Sequence, residues 1–193
     1  MPDTGRHVYT SSSCGICGTD SIEAVRKTLH FDISQDQRRV PADVLADLPR
    51  RLRAAQAVFD RTGGAHAAGL FRIDNGIPAL LCLREDVGRH NAVDKVVGWA
   101  LREGLLPLSG TILQVSGRAS FELVQKAALA GIPILAAVSA PSSLAADLAA
   151  ETGVTLVGFS RGTSFNAYSG QQRLASPLEA PRRATAGLAI DAM

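Results

Sequence analysis

Cysteine is scarce in this 193-residue chain, which has three: Cys14, Cys17 and Cys82. A CxxC with one further thiol is no disulfide framework, and the second CxxC or HxxxH that would complete a four-ligand structural zinc site is missing. Aromatic residues make up 5 % of the chain. No basic run is interleaved with them, which argues against the stacking platforms of single-strand nucleic-acid sites. A net charge of +2 is too small for a general polyanion binder. No stretch approaches the roughly 20 apolar residues needed to cross a bilayer, and Met1-Pro2-Asp3-Thr4-Gly5-Arg6-His7 has no apolar signal core. The expectation is a cytoplasmic protein with no membrane or nucleic-acid partner, whose thiols stay reduced and serve chemistry or metal binding.

What is present is a chain 46 % hydrophobic and rich in Ala, Gly, Leu and Val, the composition of helices packed closely on a buried sheet. This predicts one α/β domain over residues 1–172 with a mixed, mainly parallel sheet, followed by a disordered tail over 173–193. Two of the cysteines sit in Ser11-Ser12-Ser13-Cys14-Gly15-Ile16-Cys17-Gly18. Serine and glycine offer little to bury, so the thiols are expected on a mobile, accessible loop. Cys82, within Ala79-Leu80-Leu81-Cys82-Leu83, reads as a buried small hydrophobe.

His7 to Thr10 reads as a strand leading into the loop, and Asp20-Ser21-Ile22-Glu23 as a capping box opening a helix with Ile22, Val25 and Leu29 on one face. Phe31 to Val40 reads as a polar connector. Leu45, Leu48, Leu52, Ala55 and Phe59 recur at helical spacing, with Pro49 acceptable only as the opening residue of a second helix and Thr62-Gly63-Gly64 as the stop. Asp74-Asn75-Gly76 between His66–Ile73 and Ile77–Leu83 is a hairpin signal. Arg84 to Asn91 reads as a charged loop, with Asn91 capping a helix that turns Val93, Val97, Ala100 and Leu101 inward and Asp86 paired with Arg84 or Arg89.

From Thr111 onward, strand and helix patterns alternate as two βαβ units. Right-handed crossovers bring Ser116-Gly117-Arg118, Ser139-Ala140-Pro141-Ser142-Ser143 and Ser160-Arg161-Gly162-Thr163-Ser164 to one sheet edge. Hydroxyls, free amides and two arginines suit phosphate, which makes that edge the expected ligand site. For Cys14 and Cys17 three chemistries stay open: half of a zinc site completed by His66 and His90, a redox pair, or a sulfur carrier whose thiolate takes up the outer sulfur of a persulfide. A deaminase-like zinc enzyme would need H-x-E and P-C-x-x-C, whereas the chain has His66-Ala67-Ala68, and Ser13 stands where that proline would be.

Ser13-Cys14-Gly15-Ile16-Cys17-Gly18, Thr62-Gly63-Gly64-Ala65-His66, Glu85-Asp86-Val87-Gly88-Arg89-His90-Asn91, Ser116-Gly117-Arg118-Ala119-Ser120-Phe121-Glu122 and Val157-Gly158-Phe159-Ser160-Arg161 together resemble the FdhD family, the formate dehydrogenase accessory sulfurtransferases. The resemblance runs from about Tyr9 to Leu174, so the family's amino-terminal segment is expected to be missing. It implies a three-layer cytidine-deaminase-like fold and a homodimer. It also implies transfer of persulfide sulfur from a cysteine desulfurase to the molybdenum or tungsten bis-guanine-dinucleotide cofactor, before that cofactor enters formate dehydrogenase. Cys14 would bear the persulfide with Cys17 as its partner, and Phe159, Ser160, Arg161, Gly162, Thr163 and Ser164, with Arg118 nearby, would bind the cofactor. A binding module that holds the cofactor without transferring sulfur is the alternative.

Overall fold

The computed structural model describes residues 22–74 and 76–175. Cys14, Cys17, the strand expected at His7–Thr10 and the chain from residue 176 onward lie outside them.

Helix α1 (Ile22–Thr28) seals Val25 into the core. The expected connector is ordered here: Asp32 caps a 3-10 turn at Ile33–Gln35, its carboxylate accepting the Ser34 N–H at 3.0 Å. Strand β1 (Val40–Pro41) opens α2 (Ala42–Ala54), which buries Leu45, Leu48 and Leu52. Pro49 does not start a new helix; it sits inside α2. Its missing N–H and ring clash cost about 3 kcal/mol, but three buried leucines contribute about 1.5–3 kcal/mol each, so packing wins. The break comes at Ala55–Gln56, and α3 (Ala57–Thr62) ends at Gly63, whose φ of 65° is left-handed.

Strands β2 (His66–Asp74) and β3 (Ile77–Asp86) form the expected antiparallel hairpin. Arg84, Glu85 and Asp86 are strand rather than loop, and Gly88, not Asn91, stands at the N-cap of α4 (Arg89–Arg102). That helix buries Ala92, Val93, Val96 and Ala100, while Leu101, expected inward, is 64 % exposed. One residue past Ala100, Leu101 lies about 100° round the helix and off the buried stripe.

The remainder alternates: β4 (Thr111–Val115), α5 (Phe121–Leu129), β5 (Ile134–Ala137), α6 (Ser143–Thr152), β6 (Thr155–Arg161) and β7 (Ser164–Ser169). The six-stranded sheet runs β3-β2-β4-β5-β6-β7, with β4, β5 and β6 mutually parallel and β2 and β7 antiparallel to their neighbours. Pro78 falls on the edge strand β3, where a lost donor breaks no inner ladder. A final strand β8 (Leu174–Ala175) pairs in parallel with β1.

Successive core residues face opposite layers. Ile134 and Ala136 pack with the α2 leucines, whereas Leu135 and Ala137 pack with the buried faces of α1, α4, α5 and α6. Gly69 lets α2 approach the sheet, since a Cβ there would lie 2.7 Å from Leu52 Cδ1. Arg173, placed in the tail by sequence, is buried and belongs to the fold. Its guanidinium donates to the Ile33, Asp36 and Gly153 carbonyls and to Thr155 Oγ1, tying the 3-10 turn to the head of β6.

Candidate functional site

Because β2 is antiparallel to both β3 and β4, the carboxyl ends of β3, β4, β5 and β6 all reach the same edge of the sheet. The β3–α4 corner, the start of β2, the β4–α5 and β5–α6 loops and the β6–β7 hairpin therefore meet there, as crossover geometry predicts for an α/β ligand site. Two clefts open on it, one on each face. A cleft of ≈ 640 Å³ on the α2–α3 side is lined by Arg50, Arg53, Phe59, His66, Ser116 and Gly162. A cleft of ≈ 390 Å³ on the α4–α6 side is lined by Arg89, Arg118, Ser120, Glu122 and Ser142. Gly117 lies between them: a Cβ there would meet His66 Nδ1 at 3.4 Å and Arg89 Cδ at 3.9 Å. A third cavity, of ≈ 300 Å³, lies at the opposite edge between Arg38, Ile73, Ile134 and Ala175, and among the described residues no carboxylate, imidazole or thiol lines it.

The stretch expected as a cofactor loop is instead a hairpin. Phe159, Ser160 and Arg161 end β6, Gly162-Thr163 form the turn with Gly162 at φ 58°, and Ser164 begins β7 opposite Arg161. Phe159 is the only non-glycine residue with positive φ among those described, at 52°. Its side chain is 40 % exposed and its N–H donates to Ser139 O. A bulky residue held there stores strain of about 1–2 kcal/mol, a mark of functional sites. Ser160 is fully buried, and its Oγ finds no partner among the described residues. Arg161 is exposed, with Nε 3.4 Å from Val138 O, and Arg118 is exposed on the rim of the smaller cleft. The hairpin and Arg118 thus reach the same sheet edge, Gly162 on the larger cleft and Arg118 on the smaller, while Ser160 turns away from solvent.

The block Glu85–Lys95 divides into structural and site-facing residues. Glu85 accepts the N–H groups of Val58 at 2.7 Å and Phe59 at 2.9 Å, capping the first turn of α3. Asp86 accepts from Gly88 N, Asn91 Nδ2 and Lys95 Nζ, the last at 2.5 Å, rather than pairing with Arg84 or Arg89. The Lys95 bond, then the Gly88 and Asn91 bonds, hold its carboxyl down to about 2. Arg89 and His90 face inward. Arg89 Nε is buried and finds no partner among the described residues, as does Glu122 Oε1. His90 Nε2 lies 2.9 Å from Ser120 Oγ and 3.2 Å from Glu122 Oε2, and Ser120 Oγ donates to Glu122 Oε2 at 2.9 Å. Burial, more than any neighbour, pushes the His90 imidazole below its ordinary pKa.

Sequence reasoning found the edge, Arg118, Arg89 and His90. It did not join His90 to Glu122, which is 32 positions on; the signal was a carboxylate in the first turn of a helix whose N-cap is serine. It also missed Arg50 and Arg53 of α2, because only the docking of that helix on the sheet brings them to the edge. His66 opens β2 on the larger cleft. Cys82 is buried and free, as expected, and burial pushes its thiol up. Among the described residues no three His, Cys, Asp or Glu side chains cluster as metal ligands, and no helix is long and apolar enough to cross a membrane.

The family model described as FdhD/NarQ family matches residues 2–175. The chain belongs to that family. It is 64 % identical over 171 residues to the sulfur carrier protein FdhD of Streptomyces avermitilis, covering 88 % of this chain and 60 % of that protein. It is 60 % identical over 176 residues to the protein of the same name from Nocardia farcinica, covering 91 % of this chain and 62 % of that one. The chain thus spans about three fifths of the length of these curated relatives. A crystal structure described as a formate dehydrogenase accessory protein, from Desulfotalea psychrophila, superposes with a TM-score of 0.66 at 32 % identity, covering 78 % of this chain and 62 % of that one.

Proposed function

We propose that this FdhD/NarQ chain is a sulfur carrier for formate dehydrogenase maturation. It takes persulfide sulfur from a cysteine desulfurase on Cys14, with Cys17 as partner, and passes it to a molybdenum bis-guanine-dinucleotide cofactor before that cofactor enters formate dehydrogenase. The observation that carries the reading is the family match over residues 2–175, which spans the CxxC and every edge segment described above, together with relatives named sulfur carrier proteins. The chemistry is consistent with it. A cysteine thiolate attacks the outer sulfur of the donor persulfide, the donor S–S bond breaks, and the leaving thiolate takes a proton. The cofactor is cargo, and its phosphates call for arginines and open amides of the kind that Arg161, Arg118 and the Gly162-Thr163 turn offer. The unpartnered Ser160 Oγ is available to a ligand only if the hairpin shifts. In the same reading the protein acts in the cytoplasm as a homodimer, and its three layers are of the cytidine-deaminase-like kind.

Intact-mass spectrometry after incubation with a cysteine desulfurase and cysteine tests the transfer. The expected result is a gain of one sulfur, about 32 Da, reversed by reductant and abolished by Cys14→Ala. Guanosine diphosphate binding tests the cofactor edge: Arg161→Ala and Arg118→Ala should each weaken it about tenfold, the value of one charge-assisted contact. Nucleotide binding with no added sulfur would favour a module that holds the cofactor without transferring sulfur.

A further inference from the structure

The cleft on the α4–α6 side carries an uneven set of hydrogen-bonding groups. Arg89 and Arg118 line it, and among the described residues neither guanidinium has an ion-pair partner, Arg89 Nε being buried as well. Helix α5 begins on the same wall. An α-helix leaves its first amides without intrahelical acceptors, and those of Phe121 and Glu122 make no backbone hydrogen bond among the described residues. Ser142 Oγ accepts from Ala145 N at 3.2 Å, which leaves its own hydrogen to give. Every one of these groups donates.

The Glu122 side chain is the exception. It lines the same cleft and is 9 % exposed. Its Oε2 accepts from Ser120 Oγ at 2.9 Å and faces His90 Nε2 at 3.2 Å, whereas Oε1 is buried with no partner among the described residues. An ionised oxygen kept from water without a donor is costly. A fully deprotonated oxyanion answers the arginines and the amides but meets Oε1 with a lone pair. An oxyanion that keeps one hydrogen answers both, since its bare oxygens accept from the donors and its O–H donates to Oε1.

We propose that this cleft binds a phosphate group that carries a proton, as the free ion or a phosphomonoester, and that Glu122 Oε1 is the acceptor that selects it. Arg89, Arg118 and the α5 amides hold the bare oxygens. A phosphomonoester, with a second pKa of about 6, still carries that hydrogen in part near neutral pH, as does free phosphate. Sulfate does not, nor does a phosphate bridged on both sides like those of a dinucleotide. The ligand is therefore not the dinucleotide cofactor, and the inference stands without the carrier reading. Arg118, on the rim, is the one residue that both readings use.

Isothermal titration of the full-length protein compares inorganic phosphate with sulfate, at one pH near the second pKa of phosphate and in a buffer free of both. The other charged groups at this corner, His90, Asp94 and Lys126, are then in the same state for every anion. Phosphate should bind about 10²-fold more tightly than sulfate. Glu122→Gln, whose amide can turn an N–H toward a bare oxygen, should bring that ratio near one by strengthening sulfate, with thermal melts as the folding control. Arg89→Met should weaken both anions about tenfold and keep the ratio. On wild type alone, monomethyl phosphate should bind and dimethyl phosphate, with no hydrogen to give, should not, so the test stays decisive even if Glu122→Gln fails to fold. Tighter binding of ribose 5-phosphate than of free phosphate assigns the cleft to a monoester, and equal or weaker binding assigns it to the ion. Equal affinity for phosphate and sulfate, a preference that survives in folded Glu122→Gln, or no binding of any phosphate overturns the inference.

Discussion

Phe159 and Asp86 show how single residues at this edge trade stability against geometry. Phe159 is strained at φ 52° and exposes much of its ring, so its conformation is imposed by the β6–β7 hairpin and not by burial. Phe159→Gly removes both ring and strain, while Phe159→Ala removes the ring and keeps the strain. The glycine variant should be the more stable of the two by about 1 kcal/mol in urea unfolding. Equal stabilities would mean that the backbone relaxes freely. Asp86 has a folded pKa depressed to about 2 by Lys95, Gly88 and Asn91. Its contribution is present above the unfolded carboxylate pKa of about 3.9 and is lost as pH falls through the folded value. Asp86→Asn should flatten the acid side of the stability curve between those two values and leave it parallel to wild type above them.

At the scale of elements, α2 and α3 wall the larger cleft under two opposed constraints. Pro49 weakens the α2 interior, and Glu85 from β3 supplies the cap that the six-residue α3 lacks within itself. Pro49→Ala should raise unfolding free energy by about 1–3 kcal/mol, read as a higher denaturation midpoint at unchanged slope. Glu85→Ala should lower it by about 1 kcal/mol and increase amide exchange at Val58 and Phe59. A variant with normal protection there would contradict the cap. Arg53 stands 4.7 Å from the centre of the Phe59 ring and pairs with Asp60 at 2.6 Å, so the loosened helix should remain attached to α2. The Leu45, Leu48 and Leu52 periodicity was legible because helical spacing is local. The break at Ala55–Gln56 was not, since it depends on a carboxylate 27 positions from Val58.

At the scale of the whole molecule, Arg173 closes the fold. Its guanidinium serves three carbonyls and a hydroxyl from segments more than a hundred positions apart in sequence, and its burial lowers its pKa. Arg173→Met should cost at least about 3 kcal/mol, because several buried acceptors lose their donor at once, and Arg173→Lys should recover little, having no planar fork. A midpoint within error of wild type would mean that water replaces the guanidinium. Periodicity and turn chemistry alone determined the β2–β3 hairpin, the two βαβ units and the edge on which their loops emerge, since these depend on residues close in sequence. The motif residues at that edge were legible for the same reason. Which of them cap helices and which line the clefts was decided only by tertiary structure. Glu85 and Asp86 satisfy backbone donors, whereas His90, a few positions on, meets Ser120 and Glu122 across the α4–α5 contact. Side-chain roles in such a cluster depend on distances between elements far apart in the chain, and those distances exist only once the helices have packed on the sheet.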